Sequence, residues 1–233
     1  GGVSDGKTLN TSAINEAIKV ASADGIKDGV INTVLLPGGI LPGYVDYLSF
    51  SIQMRSNVTL QVAEGAWLVA ADPRIDGGKY ALAEPNPYDL YQDFGHSHWH
   101  NSLIWAENAE NIAVVGPGLI WGKGLVSNGN QSRTREQNNA LRNVRPPNTP
   151  FGYPNPRDTV ESGWANKAIA FKNCRKVKIG EGLSILHGGH FAILFTGVDD
   201  FVIDNVNIDT NRDGINIDVS SNGVISNSRI NSP

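Results

Sequence analysis

The sequence predicts an all-β chain folded as a parallel β-helix, a solenoid of stacked rungs with a helix capping its N-terminal end. Three observations lead there. Short apolar strands recur with polar turns between them, and equivalent residues such as Ile179, Ile203 and Ile225 lie 24 and 22 positions apart. A repeat of 20 to 29 residues built from short strands is the signature of a solenoid. One helical pattern stands apart from the repeat, close to the N-terminus. The composition agrees: charged residues are only 18% and there are 26 glycines, as tight turns between many short strands require.

The helix comes first. Asn10 and Thr11 offer an N-cap, and Ala13, Ile14, Ala17, Ile18 and Ala21 follow at helical spacing. A strand over Thr33–Leu36 then ends at Pro37-Gly38-Gly39. The repeat proper runs through Ile52–Leu60, Ile104–Val114, Ile169–Ile179, Ile193–Ile203 and Ile215–Ile225. Each unit is an apolar strand, a polar turn and a second alternating strand. A third short strand follows in Gly118–Ile120, Leu183–Ile185, Val206–Ile208 and Arg229–Ile230. No rung can bury its apolar side alone, so stacking must create one continuous column. Asn108, Asn173 and Gly197 occupy turn positions that suit a positive φ. The helix is expected to plug the end of that column, where the first rung would expose an edge.

Two stretches interrupt the period. Residues 72–100 carry Tyr80, Tyr88, Tyr91, Phe94, His96, His98, Trp99 and His100, and residues 125–165 are polar and proline-rich. Insertions in a solenoid collect on one side and build its binding site. The whole of 1–233 is read as one β-helix domain with these two insertions.

Several functions are disfavoured at once. A net charge of −4 argues against a nucleic-acid partner. No apolar run of membrane-spanning length occurs. The lone Cys174, flanked by Phe171 and Val177, reads as a buried structural thiol. His96, His98 and His100 alternate as metal ligands on one strand face would, but no acidic or cysteine partner stands at ligand spacing. No metal and no cofactor is expected.

The ordered motifs resemble glycoside hydrolase family 28, the polygalacturonases and their relatives. Asn211-Arg212-Asp213-Gly214 is similar to the family's Asn-Thr-Asp-Gly. Asp5-Gly6-Lys7-Thr8, Ser56–Leu60 through Gly65-Ala66, and Gly116–Gly124 resemble its other motifs in the same order. The resemblance implies a right-handed parallel β-helix, inverting hydrolysis of galacturonan, a pectic polysaccharide or oligogalacturonide as substrate, a monomer, and a secreted or periplasmic location. It implies Asp213 as a catalytic residue. It further implies two adjacent aspartates about twenty residues later, then a His and a basic pair. Twenty-one residues past Asp213 would be position 234, so those groups are expected beyond Pro233 and the chain is read as incomplete at its C-terminus. Arg212 stands for the usual Thr, Asn216 for an Asp and Trp121 for another Asp, which suggests a different substrate from plain endo-polygalacturonases.

The residues themselves support parts of this chemistry. Inverting glycosidases use one carboxylic acid and one carboxylate on opposite sides of the scissile bond. Equivalent positions on stacked rungs lie about 4.8 Å apart, so carboxylates on neighbouring rungs can share a face. Asp213 is the candidate for activating water; the structural alternative is an Asp bonding its own turn before Gly214. His190, 23 residues earlier, is expected beside Asp213 as a substrate-binding donor, with His187, Asn211 and Arg212 as further contacts. The 125–165 insertion adds Arg133, Arg135, Arg142, Arg145 and Arg157 as carboxylate-binding forks. Two other readings stay open: a pectate-lyase-like enzyme, drawing on Asp199, Asp200, Asp204 and Asp209, and a non-catalytic carbohydrate-binding β-helix.

Overall fold

The computed structural model of the chain describes residues 1–39, 45–86, 94–127 and 163–232. The chain enters through strand β1 (Asp5–Leu9) and helix α1 (Thr11–Asp28), then β2 (Asn32–Leu36) and β3 (Val45–Ser49). From there it turns in three-strand rungs. These are β4 (Ile52–Gln53), β5 (Val58–Val62) and β6 (Ala66–Ala70), then β7 (Ile104–Glu107), β8 (Glu110–Val115) and β9 (Leu119–Trp121). Next come β10 (Lys167–Lys172), β11 (Arg175–Gly180) and β12 (Ser184–Leu186), followed by β13 (Phe191–Thr196), β14 (Asp199–Asp204) and β15 (Asn207–Asp209). The last described rung is β16 (Asp213–Asp218), β17 (Ser221–Ser226) and β18 (Arg229–Asn231).

Equivalent strands pair in parallel and form three sheets. A five-stranded sheet runs β4-β7-β10-β13-β16, a six-stranded sheet β2-β5-β8-β11-β14-β17, and a seven-stranded sheet β1-β3-β6-β9-β12-β15-β18. Parallel crossovers of this kind wind right-handed, giving the expected right-handed parallel β-helix. The register follows the sequence period: Ile179 pairs with Ile203 and Ile203 with Ile225.

Stacked columns of like residues fill the interior. Ile52, Ile104, Ile169, Ile193 and Ile215 form one from the five-stranded sheet. Tyr47, Leu68, Ile120, Ile185, Ile208 and Ile230 form another from the seven-stranded sheet. Phe171 and Phe195 stack with ring centroids 5.5 Å apart, and the edge of Phe201 meets Phe195. Each fully buried side chain of this size contributes about 1.5–3 kcal/mol.

The helix caps the column as expected, burying Ile14 and Ile18 in the same core. It runs to Asp28, a turn and more beyond the apolar run that marks it, and ends on Gly29 in the left-handed conformation. Asn10 does not cap it by side chain. Its amide instead ties Val3 and Thr8 to the first strand, and Thr11 Oγ1 accepts the Phe50 N–H. Strand β1 has no apolar alternation to announce it. Its pairing with β3 is what orders it.

The turn residues behave as their chemistry requires. Asn108, Asn173 and Gly197 adopt φ of 54°, 51° and 65°. A second column, Asn111, Lys176, Asp200 and Asn222, also takes positive φ, one residue on each of the strands β8, β11, β14 and β17. No helix among the described residues is long and apolar enough to cross a membrane.

Cys174 is fully buried, and its Sγ–H donates to the Lys172 carbonyl. Burial pushes the thiol up to about 11. The thiol is therefore protonated at pH 8 and should resist a disulfide-exchange reagent in the native protein, then react fully in denaturant. Rapid native labelling would contradict the buried placement.

Candidate active site

Every connection from the seven-stranded to the five-stranded sheet turns at one corner of the solenoid. The link from β6 to β7 spans 71–103 and the link from β9 to β10 spans 122–166, so both insertions leave and return along this edge. The two later rungs turn it tightly, through 187–190 and 210–212. The backbone is pressed close there. A Cβ on Gly122 would lie 1.9 Å from the His187 carbonyl oxygen. Gly189, at φ 87°, would place one 2.5 Å from the Asn166 oxygen. No other residue fits either position. Thr210 Oγ1 accepts the Gly188 N–H at 3.1 Å and joins the two tight turns.

The five residues singled out from the sequence all sit at this corner. Asp213 opens β16 and is exposed. Arg212 precedes it in the turn, and its Nη1 donates to the Ser127 carbonyl at 3.4 Å, reaching the point where the second insertion departs. Asn211 and the exposed His187 line a cleft of about 220 Å³ together with Trp121, Lys123, Leu125 and Ser127. His190 does not stand beside Asp213 on the ladder. The register pairs Asp213 with Phe191, and Phe191 with Lys167. His190 is one position out of step and 1% exposed, tilted against Phe191 and edge-on to His96. The reason is the turn length: three residues separate β15 from β16, but four separate β12 from β13. The ladder neighbour of Asp213, expected to be His190, is therefore Phe191.

Two features escape the sequence reading. The first is Lys167, fully buried at the start of β10, whose Nζ bonds the Asn166 and Asn101 amide oxygens. Nothing separates it in sequence from a surface lysine at a strand end. Only the insertion returning through Asn101 encloses it. The second is a polar clasp holding the first insertion on the outer face of the five-stranded sheet. Glu84 accepts the N–H groups of Trp99 and His100. His100 stacks on Trp105 and bonds Glu107 at 2.9 Å. Lys172 meets Glu107 at 3.2 Å and lies over the Trp99 ring, whose Nε1–H donates to Thr196. Trp99 itself packs on Ala170, Phe191 and Leu194.

The three alternating histidines do not converge. Phe94–Ser97 is a helical turn rather than a strand. His96 packs on Phe191, His98 bonds Ser97 and His100 bonds Glu107. Among the described residues no group of three His, Cys, Asp or Glu side chains is arranged to hold a metal ion. The arginines at 133, 135, 142, 145 and 157 lie outside the described residues.

No family model and no curated protein matches the chain in sequence. Solved structures do match. A hyperthermoactive exopolygalacturonase from Thermotoga maritima is 18% identical, with a TM-score of 0.67 over 99% of this chain and 50% of its own. A family 28 exopolygalacturonase from Yersinia enterocolitica is 20% identical, with a TM-score of 0.63 over 98% of this chain and 41% of its own. A polygalacturonase from Erwinia carotovora is 20% identical, with a TM-score of 0.61 over 97% of this chain and 55% of its own. The chain thus spans about half the length of these enzymes or less, and the likeness is one of fold.

The clasp carries a pH dependence. Burial alone would raise the Glu107 carboxyl, but the hydrogen bonds from His100 and Lys172 outweigh it and leave it lowered. A carboxyl lowered on folding adds stability above its unfolded value, about 4.3, and loses it as pH falls through the folded value. Between about pH 5 and pH 3 the protein should therefore lose more Tm than its Glu107→Gln variant does. Equal losses in a calorimetric pH series would remove Glu107 from this role.

Proposed function

We propose that this chain is the β-helical core of a glycoside hydrolase acting on galacturonate-containing pectic polysaccharide, with Asp213 as its water-activating carboxylate. The observation that carries the reading is where the Asn211-Arg212-Asp213 motif falls. It enters the five-stranded sheet at the one corner from which both insertions emerge, with Asp213 exposed beside a cleft lined by Lys123, His187 and Asn211. The fold shared with three polygalacturonases supports the same reading. In the proposed reaction Asp213 accepts a proton from water as its oxygen attacks the anomeric carbon. The glycosidic C–O bond breaks, a carboxylic acid protonates the departing oxygen, and the configuration inverts. On the side of Asp213 described by the ladder stand Phe191 and then Lys167. The acid in this proposal therefore does not come from the ladder positions beside Asp213. Arg212 and the cleft cation suit an acidic sugar, and a secreted or periplasmic protein would meet such a polymer.

That same ladder favours a second reading, a β-helix that binds pectic chains without cutting them, because on the described rungs it sets Phe191 and Lys167, and no second carboxyl group, in line with Asp213. Reducing-end release from polygalacturonate separates the two. Asp213→Asn should cut turnover by about 10²–10⁴-fold with Tm unchanged, the range for loss of a general base. Near-normal turnover in the variant would sink the catalytic role. Calorimetric binding of oligogalacturonide with no reducing ends released by the parent chain would establish the binding reading instead.

A further inference from the structure

The corner cleft holds a donor set that hydrolysis at Asp213 does not use. Trp121 ends β9, facing outward from the seven-stranded sheet, and its ring meets Trp67 on the preceding rung edge-to-face at 6.0 Å. Its indole Nε1 is buried and has no hydrogen-bond partner. A buried N–H left unpaired costs about 1–3 kcal/mol. Trp99 has no such deficit, since its indole donates to Thr196. Lys123, exposed at the next turn, holds its Nζ 5.5 Å from the centroid of the Trp121 ring. Asn211 and His187 also line it, and no carboxylate is among the described lining residues. The acidic side chain that feels Lys123 is Asp72, whose carboxylate is already held by Arg74.

Trp121 and Lys123 line the same cleft, with the ammonium over the indole ring. A planar anion with two acceptor oxygens satisfies both, and the cleft volume of about 220 Å³ suits a single sugar residue. Trp121 also stands where the resembled motif carries an aspartate, so the substitution removes a charge that would repel an anion and supplies an apolar wall. We propose that Trp121 and Lys123 form a uronate subsite, the indole N–H and the ammonium both donating to the sugar carboxylate. Asn211 faces its hydroxyls, linking this subsite to the Asp213 turn. The uronate class rests on the galacturonan reading above. The subsite makes Trp121 a specificity residue that favours a carboxylated over a neutral sugar.

The test uses the ¹⁵N-labelled chain and its indole N–H resonances, with Trp121 assigned through Trp121→Phe. Titration with free galacturonate should shift the Trp121 resonance, while galactose at the same concentration should not. Lys123→Met, a change at an exposed side chain whose unchanged Tm is checked first, should weaken the galacturonate response about tenfold, the loss expected for one charge-assisted hydrogen bond. A Trp121 resonance that stays still, that moves equally with galactose, or that keeps full affinity in Lys123→Met would overturn the subsite. Reducing-end release from polygalacturonate by the same sample judges the other reading separately. A shifting indole without hydrolysis keeps the subsite and removes the hydrolase, and hydrolysis with a silent indole does the reverse.

Discussion

Everything in this molecule depends on strands of successive rungs lying in parallel register, so that each inward side chain stacks on its like. The condition is strict. An extra residue inside a strand would turn a column of Ile or Phe outward, because alternate residues face opposite sides. The chain meets it with repeated devices at fixed positions. Asn111, Lys176, Asp200 and Asn222 take a positive φ at the same strand position on successive rungs. Asp199 and Asp204 accept bonds from Ser221, Asn222, Ser226 and Asn227 of the next rung, and those bonds hold both carboxyls below their ordinary value. The ladder thus continues outside the backbone as a polar seam on the surface.

A structure that forbids insertion within strands must vary at its turns, and here both long insertions fall at a single corner. That is why the candidate site is there. From β7 onward the turns away from this corner are two or three residues long. The corner instead brings together a buried lysine, a clasp of charged and aromatic side chains, an exposed aspartate and an anion-compatible cleft. The net charge of −4 belongs to the whole chain, and a cleft lined by Lys123 and His187 carries a local sign of its own.

The columns were legible in the sequence because their period is written in the spacing of isoleucines. Ile179, Ile203 and Ile225 pair as their numbering implies, and the short third strands fall within a residue of their observed positions. Strand β1 was not legible, since Asp5–Leu9 has no apolar alternation and depends on β3. At the site, the corner could be anticipated from the two interruptions, but the neighbour of Asp213 could not. A one-residue difference between two turns decides whether His190 or Phe191 faces it, and sequence separation does not reveal turn length. Lys167 was hidden for a related reason. One of its partners is Asn101, some 66 positions away along the chain.

The N-terminal helix, besides closing the column, bears on the order in which the molecule assembles. Each rung pairs with the rung just before it, and β2, the first strand of the six-stranded sheet, lies against α1. Contacts in such an array are made between nearest neighbours, so a folded rung offers its edge to the next one. The end that carries a finished apolar lid is the one that leaves the ribosome first. A rung that emerges after that end has folded finds a partner edge available to pair with.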